Sequence, residues 1–443
     1  MVSSRNSGRA AGFTGIMVGS AVNGSAERMG IMSNRCRGAL LLIMLWALCP
    51  TGWVHCADIV VNRLDDRDGI CHFMNTGCSL REAIEMSNAT PEYDTIFLPS
   101  GRIEMTQVGF LEDDNHLGDL DITASVTIVG RAPGVSIVDA NSLDRVFHVL
   151  DATVLFKMMT ITGGGHIDMG AGGGGIRVDD GVAILQHCDV IDNESHYYAG
   201  AGLAASDGTL WLQKSSVRGN VAINMGGGIS IGGGTSSILQ IEDCTISGNA
   251  AAGGCAISTN NTTSLIRNST ISSNTCYQTG AGAVYVGGDT TVEYSTIADN
   301  TNPTLESFGS GSQLTLERTI IDGQCRTSSG GAIVTEYGNM ESPGNTCNLD
   351  VDGDLRYVAD PQLSALGRWG GSTETHRPFQ FSPAVDHVFS ISLPPCSGSD
   401  QRGIPRPQDG SNGVGTPCDI GAVELVYSEI FIDGFECGFT GGW

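Results

Sequence analysis

The sequence predicts an all-β fold wound as a solenoid of parallel strands, and three observations carry that reading. A short phrase recurs about every two dozen residues between Leu155 and Gln324, apolar columns run in phase with it, and the 443 residues include 62 glycines but only 16% charged side chains. The phrase reads Thr-Ile-Thr-Gly from Thr160, then Asp-Val-Ile-Asp-Asn193, Ser-Val-Arg-Gly-Asn220, Thr-Ile-Ser-Gly-Asn249, Thr-Ile-Ser-Ser-Asn274, Thr-Ile-Ala-Asp-Asn300 and Ile-Ile-Asp-Gly-Gln324. The glycines follow no three-residue period, which excludes collagen and leaves tight turns as their reason.

With the ladder position set at Gly164, Asn193, Asn220, Asn249, Asn274, Asn300 and Gln324, the spacings are 29, 27, 29, 25, 26 and 24 residues. Eight residues earlier stand Phe156, Leu185, Leu212, Ile241, Ile266, Val292 and Leu316. Three earlier stand Ile161, Val190, Val217, Ile246, Ile271, Ile297 and Ile321. These columns share one interior, and the asparagines predict a buried amide ladder along the axis. A further strand per rung is expected after a Gly-rich bend, at Ile176, Leu203, Ile229, Ile257 and Val284. Turns that vary in length between strands that do not explain the uneven period.

Ahead of the array, residues 1–57 read as an export signal with an over-extended start. Arg35 and Arg37 precede the apolar run from Ala39 to Leu48, and a peptidase site is expected near Val54-His55-Cys56-Ala57. That run is too short to span a bilayer, so no transmembrane segment is expected in the mature chain. Residues 58–150 read as an N-terminal cap and first irregular rungs. There Ser79 and Glu82 form a capping box before the apolar face of Leu80, Ala83 and Ile84, with Asn88 as the stop, so one short helix covers the end of the stack. Residues 151–324 are the regular rungs. From 325 to 424 the period weakens while Pro and Cys rise, which predicts terminal rungs and a disulfide-pinned C-terminal cap, followed by a tail at 425–443. The expected pairs are Cys71 with Cys78, Cys325 with Cys347, and Cys396 with Cys418, because each closes a local loop. Cys188 and Cys244 share one repeat position two rungs apart, too far to bond, and are expected as buried thiols.

Cys-Ser-Leu-Arg-Glu-Ala83, Asp-Thr-Ile-Phe-Leu-Pro99 and Gly-Asp-Leu-Asp-Ile-Thr123 resemble the opening of the exported bacterial proteins named for their CSLREA motif. Asp360-Pro-Gln-Leu363, Gly370-Gly-Ser-Thr-Glu-Thr-His376, Ser382-Pro-Ala-Val-Asp386, Asp400-Gln-Arg-Gly403 and Cys418-Asp-Ile-Gly-Ala-Val-Glu424 resemble the choice-of-anchor C-terminal region of the same proteins. The resemblance implies a right-handed parallel β-helix that is secreted or displayed on a bacterial cell surface. It brings no catalytic residue set.

The formal net charge of −25 opposes binding to nucleic acid or an anionic membrane. The exterior column seven before the ladder reads Lys157, Gln186, Gln213, Glu242, Arg267, Glu293 and Glu317, without the run of cations that a lyase acting on polyanions would need. Two groups of residues carry candidate chemistry. Asp180 and Asp207 are one repeat apart, a spacing that would stack two carboxylates for glycoside hydrolysis or calcium binding, although each begins an ordinary Asp-Gly turn. His166 and Asp168 on one turn and His196, Tyr197 and Tyr198 on the next concentrate groups that bind a sugar by stacking and hydrogen bonding or hold a metal, although surface turns also collect His and Tyr without a function. Together these features predict a monomeric glycan-binding or adhesive scaffold with an extracellular glycan or cell-surface partner. The alternative is a polysaccharide-degrading glycoside hydrolase or lyase. No cofactor is expected, with calcium left open.

Overall fold

The computed structural model describes residues 57–71, 77–109, 113–166, 172–196, 199–234, 237–301, 303–351, 353–387, 396, 398–408 and 417–426, all within the compact unit Val54–Trp443. The expected export signal, apart from Ala57, lies outside these residues, as does the tail beyond residue 426. The fold is a parallel β-helix with four faces, formed by sheets of 11, 10, 5 and 9 strands, called here sheets I to IV in the order the chain visits them. One turn illustrates the path: Val182–Gln186 in sheet I, Asp189–Ile191 in sheet II, Glu194–Ser195 in sheet III, Leu203–Ser206 in sheet IV, then Thr209–Gln213 back in sheet I. Every strand pair is parallel and in the register that the repeat predicts, for instance Leu185 with Phe156 and Leu212, and Val190 with Ile161 and Val217.

Alternation along each strand sends one set of side chains into the bore. Phe156, Leu185, Leu212, Val292 and Leu316 are completely buried there, facing Ile161, Val190, Val217, Ile246 and Ile297 across the corner. The chain turns that corner on one residue per rung in the left-handed region. Met158, His187, Lys214, Asp243, Asn268, Tyr294 and Arg318 have φ between 45° and 55°. Such a conformation costs an L-residue about 1 kcal/mol, and here the backbone ladders on either side hold it in place.

Two polar columns hold the stack together from inside. Asn193, Asn220 and Asn249 are fully buried, and Asn193 donates both its backbone N–H (3.0 Å) and its Nδ2 (2.9 Å) to Oδ1 of Asn220. Asn220 repeats this on Asn249, Asn249 on Asn274 and Asn274 on Asn300, while Gly164 N–H opens the series on Asn193. Each Nδ2 also reaches a backbone carbonyl of the rung before, as Asn220 does to Val190 O at 3.1 Å. The second column lies just after the corner. Cys188 N–H donates to Ser215 Oγ, Ser215 N–H to Cys244 Sγ, Cys244 N–H to Ser269 Oγ and Ser269 N–H to Ser295 Oγ. Cys188 and Cys244 are thus free, buried thiols, and burial pushes both up to about 12.

At the N-terminal end the helix Leu80–Asn88 forms as expected, with Glu82 N–H donating to Ser79 Oγ and Ser79 N–H to Glu82 Oε2. Cys71–Cys78, Cys325–Cys347 and Cys396–Cys418 are bonded. A fourth bond, Cys255–Cys276, joins adjacent turns and lies beyond the expected pairs, because Cys255 sits in the variable bend while only Cys276 stands at a fixed offset from the ladder. Such bonds are consistent with an extracellular protein. Among the described residues no helix is long and apolar enough to cross a membrane.

The C-terminal region carries the expected disulfides, Cys325–Cys347 and Cys396–Cys418, and packs in two places. Part of it packs on the last turns, where Ala384, Cys418 and Ile420 meet Ile320 and Met340. The rest runs back along sheet II, because that face offers a row of small hydroxyls. Thr245 Oγ1 donates to Glu374 O, Thr270 Oγ1 to Gln401 Oε1 (2.6 Å) and Ala422 N–H to Thr296 Oγ1 (3.0 Å), while His376 Nε2 lies 2.8 Å from Ser272 Oγ.

Replacing Asn220 with Ala strands the donors of Asn193 and the carbonyl of Val190 in the interior. The expected loss is about 2–4 kcal/mol, read as a lower midpoint of chemical denaturation with secondary structure otherwise retained.

Candidate functional site

The two carboxylates predicted for catalysis are turn residues. Asp180 and Asp207 stand on adjacent turns between sheets IV and I, both exposed, with φ of 56° and 54°. Their backbones bond up the stack to Ser206 O and Gly232 O, and the Asp207 carboxylate accepts from Gly234 N–H. Of the residues predicted to bind a ligand, Asp168, Tyr197 and Tyr198 lie outside the described residues. His166 ends the strand Gly165–His166 and is in register with Ser195, so His196 stands one position further along its own turn. His196 is exposed, with Nε2 at 3.1 Å from Glu194 Oε2.

A concavity lies elsewhere, over sheet II of the early turns, with a volume of about 470 Å³. Its floor is Ile137, Thr160, Asp189 and Ile191, outward residues of successive parallel strands. Arg102 stands at one end, the corner residues His187 and Lys214 along one edge, Arg218 and Asp192 toward the other, and Arg368 and Ser372 of the returning cap close the wall. Four guanidinium or ammonium groups therefore face one groove that holds two carboxylates. Arg102 pairs with Asp139, and Arg218 stands 3.9 Å from Asp189. Lys214 and Arg368 make no ion pair among the described residues. The local field shows in His187: burial, followed by Lys214 and Lys157, holds its imidazole below the ordinary value. Asp243, the next corner residue, ends the groove, because Thr373 Oγ1 donates to its carbonyl at 3.0 Å and the cap covers the face from there on.

The exterior column of sheet I is as mixed as its sequence suggests. Gln186 bonds Gln213, Gln213 bonds Glu242, and Arg267 pairs with Glu293. The cations collect one position later, at the corner. His187 and Lys214 stand six before the ladder and Arg218 two before, a signal available in the repeat. Arg102 and Arg368 come from outside the regular array and carry no periodic mark.

A second group of ionisable residues lies on sheet IV of the first turns. His148 is in register with Asp121 before it and Arg177 after it, and its Nε2 is 2.9 Å from Asp179 Oδ2. Burial, reinforced by Asp119, pushes the Asp121 carboxyl up to about 7. Against its own burial, His148 and Arg177 hold Asp179 well below the carboxylate range.

The family described as the right handed beta helix region matches residues 216–348, in accord with the parallel stacking of the strands. No curated protein matches the chain. Among solved structures, the crystal structure of pectate lyase Pel9A is similar at a TM-score of 0.47 and 13% identity, covering 84% of this chain and 98% of that one. At this level the likeness carries nothing about activity.

Burial, followed by the neighbouring Glu242, pushes the Asp243 carboxyl up to about 6, and its Oδ1 is buried without a hydrogen bond. Because the folded value is raised, the stability present below about pH 4 is lost as pH rises toward 6. Asp243→Asn keeps a residue that tolerates the left-handed corner and removes the charge. The expected gain is about 1 kcal/mol at pH 7.5 after allowance for solvent screening, with none at pH 3.5. Melting curves at the two pH values check it.

Proposed function

We propose that this protein is a secreted, monomeric β-helix scaffold that binds an acidic polysaccharide along the groove of sheet II. One observation carries the reading: in a chain of net charge −25, Arg102, Lys214, Arg218 and Arg368 converge on a single concavity. Its volume falls within the roughly 300–1,000 Å³ usual for ligand sites. The floor is flat and made of short side chains, which suits an extended chain of sugars. No Phe, Tyr or Trp is among its lining residues, so recognition rests on carboxylate or sulfate groups meeting guanidinium and ammonium, Arg in bidentate fashion and Lys as a point charge. The acidic remainder of the surface repels the same ligand and confines it to the groove. Disulfides on the chain support an extracellular setting.

Polygalacturonate and alginate, with dextran as the neutral control, test this by calorimetry or gel retardation. Binding of the two polyuronates and not of dextran is expected, weakening as salt rises. Lys214→Ala and Arg218→Ala should each reduce affinity about 5- to 10-fold, the value of about 1 kcal/mol per charge pair. Equal affinity for dextran would overturn the reading. Reducing ends and unsaturated uronates are followed in the same samples. Their release, lost in Asp180→Ala or Asp207→Ala, would replace binding with cleavage.

A further inference from the structure

Separate from the groove, on sheet IV, the turns that join the N-terminal cap to the regular array bring one imidazole and two carboxylates to a point. Leu120–Ile122 and Phe147–Leu150 are neighbouring parallel strands, with Asp121 in register with His148. The loop before them adds Asp113. One ligand atom from each of Asp113, Asp121 and His148 lies within 4.8 Å of the other two. His148 Nδ1 is 3.3 Å from Asp121 Oδ1 and 3.5 Å from Asp113 Oδ1. Asp121 is fully buried and His148 is 5% exposed, yet neither Asp121 Oδ1 nor His148 Nδ1 completes a hydrogen bond. The two atoms meet only as an ion pair that falls short of a hydrogen bond, and a cation between them would complete the coordination of both buried groups.

We infer that Asp113, Asp121 and His148 bind a divalent transition-metal ion, with zinc the best match to the donor set. Calcium and magnesium take oxygen ligands, whereas an imidazole nitrogen with two carboxylates suits zinc. The far side of the ring is arranged accordingly. His148 Nε2 lies 2.9 Å from Asp179 Oδ2, and Asp179 is itself held by Arg177, whose Nε is 3.0 Å from the same oxygen. A carboxylate that accepts the Nε2 proton turns the Nδ1 lone pair toward Asp121 and Asp113, the usual support of a metal-bound histidine. Asp179 is thus a positioning residue. Asp113, whose side chain is 68% exposed, is the ligand that closes over the ion from the solvent side. Three protein ligands leave a fourth position for water. The ion would tie the loop at Asp113 and two successive turns to one centre, at the junction where the irregular rungs give way to the repeat.

The purified full chain, stripped with a chelator, is titrated with zinc and, separately, with calcium by calorimetry and thermal melting. One equivalent of zinc is expected to bind and raise the melting temperature, with no response to calcium. Cobalt in the same site should give the visible spectrum of a four-coordinate nitrogen and oxygen set. Asp113→Asn should weaken zinc at least ~10-fold, and Asp179→Asn by ~10-fold. Because Asp113 is exposed, Asp113→Asn should melt in the metal-free state as the unaltered chain does, and its polyuronate binding should stay the same. Absence of zinc and cobalt binding would overturn the inference, and so would a zinc affinity unchanged by Asp113→Asn or a preference for calcium.

Discussion

The register of this solenoid depends on a buried amide. An asparagine at the corner between sheets II and III satisfies its own rung and the next through the same group, so a one-residue slip would leave donors and acceptors orphaned along the whole column. Apolar packing acts in the same direction, since a one-residue slip would also turn the bore residues outward. Once the amides are in line, every other column follows from counting: the cysteine and serine hydroxyl ladder, the left-handed corner and the outward faces. A carboxylate on one turn and a guanidinium on the next then meet at rung spacing without further design.

That dependence explains what could be read beforehand. The interior columns, the asparagine ladder, the capping helix and three of the disulfides all sit at fixed offsets or in local loops, and a single sequence displays both. The Cys255–Cys276 bond escaped because Cys255 sits in the bend that varies in length from turn to turn. The groove escaped for a different reason: His187, Lys214 and Arg218 are in phase, but Arg102 belongs to an irregular rung, and Arg368 reaches the site only through the reversal of the cap. The cluster around His148 was more legible than it seemed. Phe147 stands 29 residues before Ile176 and pairs with it, so extending the sheet IV column backward would have placed His148 outward beside Asp121.

The two polar sites contrast in how they use the stack. In the groove, cations come from several turns and remain exposed to solvent, so their attraction is long in range and screened by salt. Around His148 the groups are desolvated and each is held by a neighbour on the adjacent strand, so geometry dominates over net charge. One fold supports both because outward positions on successive turns are independent of the bore beneath them: Asp121 and Thr160 stand on strands whose inner residues are equally ordinary aliphatics.

The cap's reversal along sheet II also sets an order of events. The floor of the groove is wound from residues 102 to 218, whereas Arg368 and Ser372 follow the last strand of the helix in chain order. A chain emerging N-terminus first would coil its rungs while one wall was still missing, and would acquire the finished groove only when the cap lies down on Thr245, Thr270 and Thr296. The wall that Arg368 and Ser372 supply is therefore the last part of the groove to be synthesised.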